Sequence, residues 1–408
     1  MAKAKVQEFL DALGTYDHKR GMDLFEASVK DFDTAQTATL GVLLAAANQK
    51  APEGTTPHAL LTAESGRRML ALVGWPASLP VVRFLALYTF TLTRRDWTPK
   101  ALERTAARLK IAQGARLPES LARAVSLRKP EEAAAVAVAL ARREGLPAAG
   151  RALVAASLGD VGKLHHNLVL AAAHADAAEA LGEPAGFVAL AAGGFELAAR
   201  TEPGPGHAIE PLEPPPAPAD PSLDRLDAAL FDDDFDEVHA QLKGFAASGI
   251  WEDAFRPLLI AACLEPGFLG HSLIAAHHAR LAATRLTAEE RAFLLWKVYR
   301  TLVHRFGYPE GLRLSGGPGI DPAAAVEALK SSLKVKTPPV ERTLRDALES
   351  GVPLEKVLQH VAYNWTHWTV GEKEHTLQYL SAAVQTAAFL GKEQAMAPLV
   401  SSLYKLPF

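Results

Sequence analysis

An all-α fold is expected from three features of the sequence. Apolar residues recur at i, i+3 and i+4 along almost the whole chain, the period of a helix with one buried face. No stretch alternates apolar and polar residues convincingly enough for a strand. A Gly-x-x-x-His-x-Leu pattern occurs four times, at Gly54/His58/Leu60, Gly162/His166/Leu168, Gly267/His271/Leu273 and Gly371/His375/Leu377. The histidines are 108, 105 and 104 residues apart, and each opens an apolar run of helical period. The expectation is a helical unit repeated four times, in two pseudo-equivalent halves, around a central histidine-lined site.

Each helix has its own local reason. Residues 3–13 and 21–32 are amphipathic, and 34–48 is apolar enough to be buried. The helix after His58 runs to Gly74-Trp75-Pro76, where glycine and proline stop it, and 79–93 forms the next. Two short helices follow near 99–112 and 117–127. Pro130-Glu131 opens the second unit, with helices over 131–144, 147–158, 166–181 and 185–200. Residues 201–222 are proline-rich low-complexity sequence that can form neither helix nor central strand, so they read as a linker between halves 1–200 and 223–408 of one domain. Helices resume at 224–230 and 234–247, then 251–264, 271–284 and 288–306. A glycine- and proline-punctuated loop covers 307–321. The last unit reads as helices at 322–334, 339–349, 353–363, 375–390 and 392–405.

Composition narrows the function classes. With 49% apolar and 22% charged residues the chain is ordinary globular protein, and a net charge of −3 offers no basic footprint for nucleic acid. No apolar run approaches the ~18 residues of a membrane span. The N-terminus reads as an amphipathic helix instead of a signal peptide, so a cytoplasmic protein is expected, monomer or homodimer. Cys263 is the only cysteine, which excludes an intrachain disulfide and a cysteine-rich metal site. P-loop, dinucleotide-binding and serine-nucleophile motifs are missing from the sequence.

The histidines carry the chemistry. A packing position reused for architecture alone would read leucine, alanine or methionine in at least one copy, because imidazole costs energy to bury without partners. His58, His166, His271 and His375 are therefore expected to converge on one metal ion. Four imidazoles leave a five- or six-coordinate iron room for a further donor and for oxygen or substrate, which puts Fe(2+) first and Zn(2+) second. His278 and His174, further along two of the helices, are expected to move protons in the pocket with pKa values near the unperturbed ~6.5. His165 competes with His166 as ligand, and register favours His166. Tyr363, Trp365, Trp368 and Tyr379 crowd around the last motif as a candidate wall for a flat substrate, with Trp296 and Tyr299 as the second candidate.

The run GEKEHTLQYLSAAVQTAAFLGKEQAMAPLVSSLYKL resembles the closing segment of the questin oxidase-like family, and HHNLVLAAAHADAAEAL and GHSLIAAHHARLAA resemble its internal histidine motifs. The resemblance implies an oxidative enzyme that uses O2 to open a ring of polycyclic quinones such as anthraquinones. Some members resemble non-haem iron dioxygenases, whose ligands are four histidines and a carboxylated lysine; older readings of the family add NADPH as reductant. Lys373, two residues before His375, stands where that lysine would be, with Glu372 and Glu374 as reserve carboxylates. Two other readings stay open: a zinc-dependent hydrolase or isomerase at the same residues, and a helical-repeat binding protein without chemistry.

Overall fold

The structure is a computed structural model that describes residues 2–15, 17–51, 55–109, 116–161, 165–201, 220–302, 307–315, 320–335, 339–369 and 374–404. It is all-α. Among the described residues the one non-helical pairing is an isolated antiparallel bridge between Gln49 and Arg94. In chain order the first half contains α1 Ala2–Thr15, α2 His18–Ser28, α3 Phe32–Ala47, α4 His58–Val73, α5 Leu79–Thr89, α6 Pro99–Ala107, α7 Leu117–Ser126, α8 Pro130–Glu144, α9 Leu146–Ser157, α10 His166–Leu181 and α11 Gly186–Arg200. The second contains α12 Leu223–Phe231, α13 Phe235–Ala247, α14 Phe255–Leu264, α15 His271–Ala283, α16 Ala288–Thr301, α17 Pro322–Val335, α18 Pro339–Glu349, α19 Leu354–Thr369, α20 Glu374–Leu390 and α21 Met396–Tyr404.

Local chemistry sets most of these boundaries. Side chains of Asp17, Asp31, Thr98, Asp234 and Thr287 cap the first free amides of α2, α3, α6, α13 and α16. Proline occupies the first turn of α5 through α9, where its missing N–H costs nothing. Several boundaries differ from expectation, among them 79–93, which ends at Thr89, 99–112, which ends at Ala107, and 392–405, which is a 3-10 turn, Lys392–Gln394, followed by α21. The span 251–264 is a 3-10 turn, Trp251–Ala254, followed by α14. Helix α2 starts three residues early, because Asp17 caps it. Helix α19 continues to Thr369 through asparagine and aromatic residues of modest propensity, because packing on α4, α5, α17 and α20 outweighs it. The linker lies almost wholly outside the described residues.

What positions the site is a square of four helices. Helix α4 packs on α10 and α20, and α15 packs on the same two. The four run in the same direction, as contacts at matched depth require. Between α4 and α20, the His58 and His375 rings meet at the top, Gln378 donates to Thr62 Oγ1 at 3.0 Å one turn down, and Ser381 donates to the Ser65 carbonyl at 3.0 Å a turn further. Between α4 and α10, His58 and His166 meet at the top and Arg68 pairs with Asp176 ten residues below each. Between α10 and α15, His166 meets His271, and Asp176 also accepts from Arg285, just past the end of α15, at 2.7 Å. Parallel neighbours cannot be joined by hairpin turns, so the remaining helices serve as crossovers, and elements from both halves interlock.

Candidate metal centre

Each of the four helices starts with its histidine or one residue before it, so all four imidazoles arrive at one end of the square. Their rings form a closed circuit, with centroid separations of 4.4 Å for His58–His375, 5.0 Å for His375–His271, 4.9 Å for His271–His166 and 5.5 Å for His166–His58. Nε2 of His271 stands 3.1 Å from Nε2 of His166. Donor atoms of His58, His166 and His375 all lie within 4.8 Å of one another. Ligands about 2.1 Å from a common ion stand about 3.0 Å apart at an octahedral edge, about 3.4 Å at a tetrahedral edge and about 4.2 Å across the ion, by geometry from ordinary metal–imidazole lengths. The His271–His166 contact falls between the two edges. His58, His166 and His375 could hold a metal ion between them, with His271 adjoining through His166.

Protonation fits as well. His271 Nδ1–H donates to the Phe268 carbonyl at 2.5 Å, which fixes the tautomer with Nε2 bare and aimed at His166. Burial lowers the His271 pKa, and that hydrogen bond opposes it. Burial pushes His58 down to about 3, with help from His375, His166 and His271. Both rings are therefore neutral at pH 7, the form that ligates.

The backbone entering each helix shows how the rings are aimed. Gly270, at the N-cap of α15, has φ 78°, and a Cβ there would stand 2.2 Å from the Tyr379 ring. Tyr379 is fully buried, with its hydroxyl 2.6 Å from Ser401 Oγ, so it braces the start of the His271 helix. His165 caps α10 in the left-handed region at φ 61°, which turns it away from the position His166 occupies in the circuit. Ahead of α4, Arg200 donates to the Thr55 carbonyl and is held by Glu196, itself paired with Arg95. Arg200 thus holds the segment that delivers His58.

The other expected site residues lie as follows. His174 and His278 are buried two turns below the circuit, and each Nδ1–H donates to a carbonyl of its own helix, Leu170 at 2.9 Å and Ile274 at 2.8 Å. Burial lowers each to about 4, so the near-neutral pKa expected for them is not what the structure gives. Tyr363 sits on α19 at 41% exposure. Lys373 lies outside the described residues, as do the side chains of Trp365 and Trp368. Trp296 and Tyr299 are core residues, Trp296 stacking on His239 at 4.5 Å.

A cavity of about 340 Å³ opens beside the circuit, on the α15–α16 side. Its walls include His165, His271, Phe268, Ala275, Val298 and Thr301. Sequence reasoning missed it; the signal was Gly267-Phe268-Leu269-Gly270, where Gly267, Leu269 and Gly270 all adopt positive φ and leave Phe268 69% exposed. Further down the square, Glu64, only 1% exposed, accepts from Arg67 and pairs with Arg68, which reaches Asp176. Among the described residues no helix is long and apolar enough to cross a membrane. Comparison with known protein families, curated proteins and solved structures finds no match.

Proposed function

We propose that this chain is a metal-dependent oxygenase that acts with O2 on a planar aromatic or quinone substrate, with iron held by His58, His166, His271 and His375. The observation that carries the reading is the closed circuit of four imidazoles brought from four parallel helix starts, with the 3.1 Å contact between His271 and His166 close to an octahedral edge. Four nitrogen donors would fill a tetrahedral zinc shell, whereas they leave an iron ion two positions. Bound iron would supply the one-electron chemistry that organic molecules need to react with oxygen.

The chain's own residues supply the rest. The Phe268 carbonyl keeps His271 Nε2 bare, and Arg200 keeps the approach to His58 fixed. The adjoining cavity would orient substrate beside the ion. His174 and His278, neutral at pH 7 and bonded to their own helices, shape the interior instead of carrying charge there. Lys373 as a carbamate remains part of the proposal as a fifth, anionic ligand.

A zinc hydrolase is the second reading, and one observation favours it. His58, His166 and His375 form a mutually close set of three, the ligand number of catalytic zinc, which would leave His271 beside the ion. Metal analysis of the purified chain, together with oxygen uptake over a panel of hydroxyanthraquinones, separates the two. Iron near one per chain with substrate-dependent oxygen uptake is expected, and His375→Ala should abolish both. Stoichiometric zinc without oxygen uptake would replace the oxygenase with the hydrolase.

A further inference from the structure

The cavity beside His271 and the direction of the four helices bear on what the centre binds. Each helix points its N-terminal end at the circuit, and such an end carries about half a positive charge. Side-chain caps do not offset it at α4, α10 or α15. No carboxylate among the described residues joins the histidine cluster. A divalent ion there stays net positive even with one anionic ligand from Lys373, inside a field that is already positive, so the centre favours a negatively charged oxygen as a further ligand.

The cavity sets what that oxygen is attached to. Phe268, Ala275, Ala276, Val298 and Leu302 give it an apolar body, and among the described residues no lysine or arginine lines it. A phosphate or other dianion would be stranded against those walls. At about 340 Å³ the cavity is at the small end of the ~300–1,000 Å³ of ligand pockets. His271 belongs both to this wall and to the metal circuit, so a molecule seated there presents one end to the ion.

We infer that the cavity takes a small apolar molecule bearing a single oxyanion, with the oxyanion on the metal and the apolar body between α15 and α16. This rests on the metal reading above. The substrate is thereby selected by charge at one end and by a largely apolar wall at the other.

The test uses the full chain reconstituted with Co(II), titrated with 2-naphthoate and with its neutral isostere 2-naphthamide. Cobalt content is measured separately in every sample. The expected result is at least tenfold tighter binding of 2-naphthoate, with a change in the cobalt absorption bands that the amide does not produce. Thr301→Trp, at the partly open wall of the cavity, should retain cobalt and formate binding and lose 2-naphthoate; Ala275→Leu serves as a second, milder filling. Equal affinity for acid and amide on cobalt-loaded protein overturns the inference and leaves the metal reading standing. Unchanged 2-naphthoate affinity in both filled variants overturns the cavity assignment. A chain that takes up no cobalt overturns the metal reading, and the inference with it.

Discussion

Acidification of the metal-free protein should destabilise it in part through two histidines remote from the circuit. His174 and His278 are fully buried, and burial holds each at about 4 instead of 6.5. The unfolded chain accepts a proton near pH 6.5, and the folded chain refuses it until near pH 4. Stability is thus intact above about pH 6.5, falls as pH drops through that value, and levels off below about 4. At pH 5 each histidine costs about 2 kcal/mol, or about 4 kcal/mol for the pair, from roughly 1.4 kcal/mol per pKa unit. That is a large share of the ~5–15 kcal/mol that holds a typical domain together. His174→Gln/His278→Gln cannot take up the protons. Urea unfolding from pH 7.5 to pH 5 in the presence of a chelator should therefore show a steep loss for the parent chain and a flatter one for the double variant. The variant starts lower at pH 7.5, so the slope and not the starting value is decisive. Parallel loss in both, within about 1 kcal/mol, would refute the argument that these two rings are buried neutral.

Two further outcomes test how the site is held. Gly270→Ala places a methyl group 2.2 Å from the Tyr379 ring at φ 78°, and should cost about 2–4 kcal/mol in urea unfolding while weakening metal retention; an unchanged midpoint would contradict the close approach. Arg200→Met removes the donor to the Thr55 carbonyl and should lower metal affinity about 10-fold in competition with a chelator, as loss of a supporting hydrogen bond does at other metal sites. Unaltered affinity would mean that His58 is positioned by its own helix alone.

Much of this was legible in the sequence, and the reasons are physical. A histidine placed by helix register is as predictable as the helix, so the convergence of His58, His166, His271 and His375 followed from spacing. The all-α class followed from periodicity. The side of the circuit with the described cavity did not, because it depends on which crossover helix flanks which histidine. Tyr379 lies one turn after His375 and reads as a pocket aromatic, yet its ring packs on Gly270 and is sealed by Ser401. The lowered pKa values of His174 and His278 were also invisible: a period places a side chain on a face, and only the packed neighbours decide how dry that face is.

Parallel packing of the square has a kinetic consequence. Antiparallel neighbours could meet as soon as a hairpin closed, but α4 meets α20 only across 316 residues, as the Thr62–Gln378 and Ser65–Ser381 contacts show. Contacts of such sequence separation require costly loop closure before they contribute anything, which slows folding. During synthesis the chain exposes three of the four circuit histidines long before the last one is made. The centre is then a late event in the life of the molecule. Until α20 docks, the apolar faces of α4 and α15 that it covers stand open to other chains. The same arrangement that aims four rings at one point makes the nascent protein dependent on the late-made α20 for protection against aggregation.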